Sequence, residues 1–209
     1  GNWLVDDCLT YRLAEAVGCP ATSAQAIGHM SAYERRLGMT PRRVDASWFD
    51  ELILFDDLPN NAHRRWPATD LRRRLIGTEQ PRHAGVYLVR GVSGDRRVLQ
   101  NERAIAEHLS ARRGFRVLDP SASSLAEIID ACAGARVVAG VEGSHLVHGL
   151  MLMPPEARLL VIQPPDRAVS VLKLTTDRQG QDYCFVVGRG RNEAFSADID
   201  EIERTLDLA

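Results

Sequence analysis

The feature that most constrains this chain is a series of short, near-continuous apolar runs in its second half. Gly85-Val-Tyr-Leu-Val-Arg90 is followed by Gly91, and Phe115-Arg-Val-Leu118 is stopped by Asp119-Pro120. Arg136-Val-Val-Ala139, Arg158-Leu-Leu-Val-Ile162 and Tyr183-Cys-Phe-Val-Val187 complete the series, the second of these stopped by Pro164-Pro165. Runs of this length without polar alternation fit strands buried on both faces. Helical patterns lie between them. Leu125, Ile128, Ile129, Cys132 and Ala133 form one apolar stripe behind a Ser124/Glu127 capping box. Residues 98–113 carry Leu99, Ala106 and Leu109 on one side and end at Gly114. Residues 146–153 form a short apolar helix ended by Pro154-Pro155. This alternation predicts an α/β fold with a parallel, Rossmann-like sheet and right-handed crossovers, with strands near 85–90, 115–118, 136–141 and 158–162.

The first half has fewer strand signals. Residues 3–17 and 23–37 read as helices, and Glu51-Leu-Ile-Leu-Phe55 as the one clear strand. Residues 58–66 read as a polar loop, and 67–76 as a helix with Pro67 at its start. The chain therefore divides into a reduced or truncated N-terminal α/β half (1–80), a Rossmann-like half (81–193) and an acidic terminal helix (194–209) with Ile199, Ile202 and Leu206 on its apolar side. No internal repeat or low-complexity tract interrupts it.

Composition narrows the function. The 209 residues are 44% apolar with a net charge of -2, too apolar and too neutral for a disordered chain. Twenty-six basic residues against 28 acidic ones argue against a protein built to bind nucleic acid backbones. Lys173 is the only lysine, so every other basic residue is arginine. Arginine suits bidentate capture of phosphate and carboxylate groups, although a coding bias accounts for the same count. No apolar stretch reaches the ~18 residues of a membrane span, and neither a signal peptide nor an Asn-x-Ser/Thr acceptor occurs. The chain opens on Gly1 rather than Met, as a piece of a longer precursor would. Cys8, Cys19, Cys132 and Cys184 are scattered and read as buried free thiols in a reducing compartment. A cytoplasmic location follows, with attachment to the inner face of a membrane as a variant.

Three groups of residues carry chemistry. In Val138-Ala-Gly-Val-Glu-Gly-Ser-His-Leu-Val-His-Gly149 a buried strand ends in a glycine turn and a helix starts at once, where open α/β sheets place ligands. Gly143 lets a ligand approach the backbone, and the N–H groups of Ser144, His145 and Leu146 offer an anion site. Glu142, His145 and His148, spaced i, i+3 and i+6, also permit a metal reading, against which stands their simpler use as polar lining. Second, Arg90 at a strand end, with Arg96 and Arg97 in the following loop, forms a candidate diphosphate clamp. The remaining arginine pairs (35–36, 42–43, 64–65, 72–74 and 112–113) read as solvated helix faces. Third, Asn2-Trp3-Leu4-Val5-Asp6-Asp7 joins an aromatic ring to paired carboxylates that could deprotonate a hydroxyl, or simply start a helix. Asp198-Ile-Asp200 is a formal Asp-x-Asp, better explained as part of a terminal helix.

Taken in order, these segments resemble glycosyltransferase family 61. Asn2-Trp-Leu-Val-Asp6 is similar to the family's His-Trp-Leu-x-Asp. Val86-Tyr-Leu-Val-Arg90 with Arg96-Arg-Val-Leu-Gln-Asn-Glu102 is similar to its strand-end Arg followed by Arg-x-Leu-x-Asn-Glu. Phe115-Arg-Val-Leu-Asp-Pro120 and Gly140-Val-Glu-Gly-Ser-His-Leu146, with Met153-Pro-Pro155, match two later motifs. Two departures stand out: Glu142 replaces a usual His, and His145 a usual Gly. The resemblance implies a GT-B-like fold of two Rossmann-like halves, with the donor in the second and the acceptor on the first. It also implies an inverting transferase that uses a nucleotide-diphosphate sugar and needs no metal or other cofactor.

On that reading Arg90, Arg97, Gly143 and Ser144 hold the donor, with Asn101 and His148 lining it or ordering the helices. Asp6, Glu142 and His145 are the candidates for the base. A non-catalytic nucleotide- or glycan-binding relative is the alternative, and a metal hydrolase built on Glu142, His145 and His148 a third.

Overall fold

A computed structural model of the chain describes residues 2–56, 62–92, 94–167 and 169–208. A 3-10 turn (Asn2–Leu4) leads into α1 (Asp7–Ala14), β1 (Ala21–Thr22), α2 (Met30–Leu37), β2 (Arg42–Arg43) and α3 (Ala62–Ile76). Strands and helices then alternate: β3 (Val86–Leu88), α4 (Glu102–Arg113), β4 (Arg116–Leu118), α5 (Leu125–Cys132), β5 (Val137–Val141), α6 (Leu146–Leu152), β6 (Arg158–Gln163), α7 (Val171–Gln179) and β7 (Asp182–Val187). The hairpin β8 (Arg189–Arg191)–β9 (Ala194–Ser196) and α8 (Ile199–Asp207) follow.

Five strands form one parallel sheet in the order β4-β3-β5-β6-β7. The apolar runs are continuous because both faces are covered. Val86, Leu88, Val138, Leu159 and Val161 enter one core with α1, α2, α3, α5 and α6. Tyr87, Ala139, Val141, Leu160 and Ile162 enter the other, beneath α4 and α8. Gly149 lets α6 lie close on the sheet: a Cβ there would come within 2.5 Å of Val138 Cγ1 and 3.1 Å of Leu88 Cδ1. From β3 the chain runs outward through α4 to β4, then returns through α5 to β5 on the other side of β3. The strand order thus reverses between β3 and β5, and the crevice beyond their carboxyl ends is where such sheets bind ligands.

The N-terminal half differs from expectation. Among the described residues its paired strands are only β1 and β2, a two-residue parallel pair. Residues 52–56 have no regular structure, and Leu52, Ile53 and Leu54 are exposed; among the described residues nothing pairs with them. An apolar run of strand length needs a sheet edge to join, and none reaches it. The helix expected over 3–17 is the 3-10 turn plus α1, and that over 23–37 is only α2, from residue 30. Of the polar loop expected over 58–66, residues 58–61 lie outside the described residues, and the rest belongs to α3. Pro67 lies inside α3 rather than at its start. Packing of Ala68, Leu71 and Leu75 into the core holds the helix despite the missing N–H.

At the other end, the helix expected over 194–209 begins only after the hairpin. Asp198 caps it, its carboxylate accepting from the N–H groups of Asp200 and Glu201, so the Asp-x-Asp is a helix start. Helix α7 carries no clear apolar stripe and is an addition to the sequence reading. The Ser124/Glu127 capping box is present. Cys8 and Cys132 are buried and Cys184 half-buried, but Cys19 is exposed. Two of the arginine groups read as solvated faces contain buried members, Arg64 and Arg72.

Candidate active site

Arg90 follows β3, and Glu142-Gly143-Ser144 follows β5, so the strand reversal brings the two main candidate segments together. Arg90 and Arg97 are 8% and 7% exposed. Glu102, in the first turn of α4, fixes the β3 exit: its two carboxylate oxygens accept from the N–H groups of Arg90 (2.9 Å) and Gly91 (2.8 Å). Arg90 Nη2 donates to the Asp95 carbonyl at 2.7 Å, which folds the loop back over the guanidinium. A Cβ at residue 143 would overlap Arg90 Nη1, so Gly143 is needed where the guanidinium lies against the turn. Burial, and next the Arg97 charge, lowers Arg90 from the ordinary arginine value. Two guanidiniums are thus held together at some electrostatic cost, which an anionic ligand would relieve.

Glu142 is buried between arginines. Arg97 Nη1 lies 2.7 Å from Glu142 Oε2 and donates to the Glu142 carbonyl at 3.2 Å. Arg167 Nε, from the loop after β6, lies 3.9 Å from the same carboxylate oxygen. Asp95 approaches Arg97 Nη2 at 3.4 Å.

The histidines divide. The ring of His145 packs against Gly140 and Gly143, within reach of the Leu88 carbonyl. Burial, then the Arg90 charge, pulls its pKa down to about 3. It is neutral at ordinary pH and a weak base. His148 faces the N-terminal half: its Nδ1 shares a 2.7 Å hydrogen bond with the Tyr33 hydroxyl. The two rings stack at 5.6 Å, and His29 packs edge-on to His148 at 5.3 Å.

Of the turn amides, Leu146 N–H is used by the Gly143 carbonyl at 3.1 Å. Ser144 is exposed. Asn101 is committed to the chain after β9, donating to the Ala197 carbonyl at 2.8 Å and accepting from the Ala197 N–H at 3.1 Å. Asp6 lies in the other half, half-exposed, with Arg64 Nη2 at 3.4 Å. The structure therefore brings together Arg90, Arg97, Glu142, Gly143 and His145, and ties His148, Asn101 and Asp6 to other parts of the fold. Among the described residues no three His, Cys, Asp or Glu side chains are arranged to hold a metal ion. The arrangement can bind an anion with two or more negatively charged oxygens, because its guanidiniums converge from β3 and its following loop.

A family model described as "Glycosyltransferase 61" matches residues 1–160. The chain belongs to the glycosyltransferase 61 family. The match takes in the β3 and β5 exits and stops before Arg167. A comparison with curated proteins gave no match. Membership makes the chain a transferase of sugars, acting between a donor and an acceptor. No helix among the described residues is long and apolar enough to cross a membrane.

For a glycosyltransferase, Glu102, which stands beside the candidate Asn101 as the first residue of α4, shapes the arginine site through the backbone. Two residues beyond the sequence candidates also matter. Arg167 and Tyr33 reach the site and its supporting helix from distant segments and carried no local signal. In the N-terminal half a cavity of about 680 Å³ is lined by Trp3, Tyr11 and Phe49 together with Asp7, Glu34 and Glu51.

Proposed function

We propose that this glycosyltransferase moves a sugar from a nucleoside-diphosphate donor to a glycan or other hydroxyl acceptor, with inversion at the anomeric carbon. The observation that supports this most is the pairing of two buried guanidiniums, Arg90 and Arg97, at the β3/β5 reversal. In this reading they, rather than a divalent ion, neutralise charge on the leaving diphosphate, and the dipoles of the Ser144 turn add to them. The halves take GT-B-like roles: residues 81–193 hold the donor, residues 1–80 the acceptor, and residues 194–209 brace the sheet. The aromatic and acidic cavity beside Trp3 suits an acceptor sugar. With Glu142 engaged by Arg97 and His145 too weakly basic, Asp6, half-exposed and close behind the Trp3 turn, is the base. A polysaccharide-building role in a bacterial cytoplasm, at or near the membrane face, fits this chemistry.

The test is calorimetric titration with uridine diphosphate, with and without chelator. Tight, chelator-insensitive binding is expected. Arg90→Ala and Arg97→Ala should each weaken it by roughly 1.5–3 kcal/mol. Unchanged affinity in both folded variants would remove the arginines from the site. One observation favours a second reading, a binding relative without turnover: Glu142 and Asp6 are each paired with an arginine, and His145 is a weak base. Donor hydrolysis without acceptor distinguishes the two, since a pure binder shows none.

A further inference from the structure

Glu142 presents a problem of charge. A carboxylate beside a phosphate site repels the ligand. Yet Glu142 is buried at the centre of the arginine group, with Oε2 2.7 Å from Arg97 Nη1. The same oxygen has a second guanidinium 3.9 Å away on Arg167, whose side chain is 41% exposed. The carboxylate oxygen thus has one close, buried partner and one looser, solvent-facing partner.

We propose that Glu142 is a built-in competitor for the donor's diphosphate, pairing with Arg97 until a diphosphate displaces it toward Arg167. This rests on the nucleoside-diphosphate reading above. A single carboxylate that must be displaced sets a threshold. A ligand with several charged oxygens can engage Arg90 and Arg97 together and repay the displacement, whereas a small monoanion cannot. The same competition aids product release. The leaving nucleoside diphosphate carries more negative charge than the sugar-linked donor, so a fixed arginine pair would hold the product tighter than the substrate. A carboxylate that returns to Arg97 opposes that trap.

Isothermal titration with inorganic pyrophosphate tests this, alongside uridine diphosphate. Glu142→Gln keeps an oxygen that can accept from Arg97 but removes the competing charge, and should tighten pyrophosphate binding roughly tenfold. In an Arg97→Ala background the same change should give little gain, because the contested guanidinium is gone. Equal or weaker binding by folded Glu142→Gln overturns the proposal and leaves the diphosphate reading standing. So does a gain that survives without Arg97, since that is through-space repulsion alone. If neither wild type nor any variant binds pyrophosphate or uridine diphosphate, the diphosphate reading fails and this inference with it. Should Glu142→Gln not fold, the crystal structure of the wild-type pyrophosphate complex decides: Glu142 must have left Arg97, and a carboxylate still paired there overturns the idea.

Discussion

The sheet half and the helical N-terminal half share one continuous core but are secured by different means. In the sheet, parallel ladders satisfy the backbone and aliphatic side chains fill both faces. In the N-terminal half, buried arginines do much of the joining. Asp70, 5% exposed, pairs with Arg12, Arg73 and Arg74. Arg72 Nε donates to the carbonyls of Leu152 and Met153, closing the C-terminal end of α6. Arg36 donates to the Leu75 carbonyl, and Arg65 to that of Arg178. A guanidinium can satisfy orphan carbonyls between layers while its stem packs as hydrocarbon. Much of the arginine in this chain is therefore architectural, whereas the group at the β3 exit, with Arg167, lies at the proposed ligand site.

The largest effect expected from breaking this contrast is at Asp70. Asp70→Ala takes from the buried Arg12 guanidinium one of its two carboxylate partners, the other being Glu15, and should cost about 3–5 kcal/mol. Burial alone would raise the Asp70 pKa, but Arg73, Arg12 and Arg74 outweigh it, and the folded pKa lies below the usual carboxylate value. A depressed folded pKa means that the contribution is whole above about pH 4 and lost as pH falls through the folded value. The gap between wild type and variant in urea melts should therefore narrow in acid. Leu88→Ala, in the sheet, should cost about 2–5 kcal/mol through lost burial and a cavity, with no such pH dependence. Equal acid sensitivity of the two gaps would erase the contrast.

Glu102→Gln sharpens it at the site. The charged carboxylate spans two backbone N–H groups, and losing that charge should cost about 1.5–3 kcal/mol. Because Glu102 acts through the β3 exit, donor affinity should fall as well, while Glu102→Asp should leave a smaller defect in both. A variant that loses stability but keeps full donor affinity would make Glu102 a helix-end residue only.

The sheet was legible because burial on both faces writes itself locally, as at Val86 to Leu88 and Leu159 to Ile162. The capping box at Ser124 was legible for the same reason: donor and acceptor lie three residues apart. In the N-terminal half the three helices were legible in outline but their ends and packing were not, because what orders them is distant in sequence. Nothing near Arg72 indicates the carbonyls of Leu152 and Met153, and nothing near Leu52 to Leu54 indicates that no strand will meet them. At the site, the residue types of Arg90, Arg97 and Glu142 were readable, and so was the pairing of Glu142 with an arginine of that group; the approach of Arg167 from beyond β6 was not. His148 and Asn101 sit at suggestive spacings, but their partners Tyr33 and Ala197 lie about a hundred residues away.

The smallest effect expected is at the seam between the two regions, where Tyr33 on α2 meets His148 on α6. Tyr33→Phe keeps the stacked ring and removes one hydroxyl, so about 1 kcal/mol should be lost. The seam also has a pH signature. Burial, then the His29 charge, lowers His148 to about 4, below its ordinary value near 6.5. The neutral ring is the one the fold accepts. Its contribution is full above about pH 6.5 and is lost as pH falls toward 4, where the unfolded chain binds the proton first. Wild-type stability should decline across that window before most carboxylates titrate, and replacing His148 by Asn should lessen the decline, buried His145 supplying the part that remains. If hydrogen exchange shows α2 opening separately from α6 in Tyr33→Phe, the two halves are coupled through this contact. If both helices still open together, the shared aliphatic core alone unites them, and the Tyr33–His148 pair only tunes the acid limb of the curve.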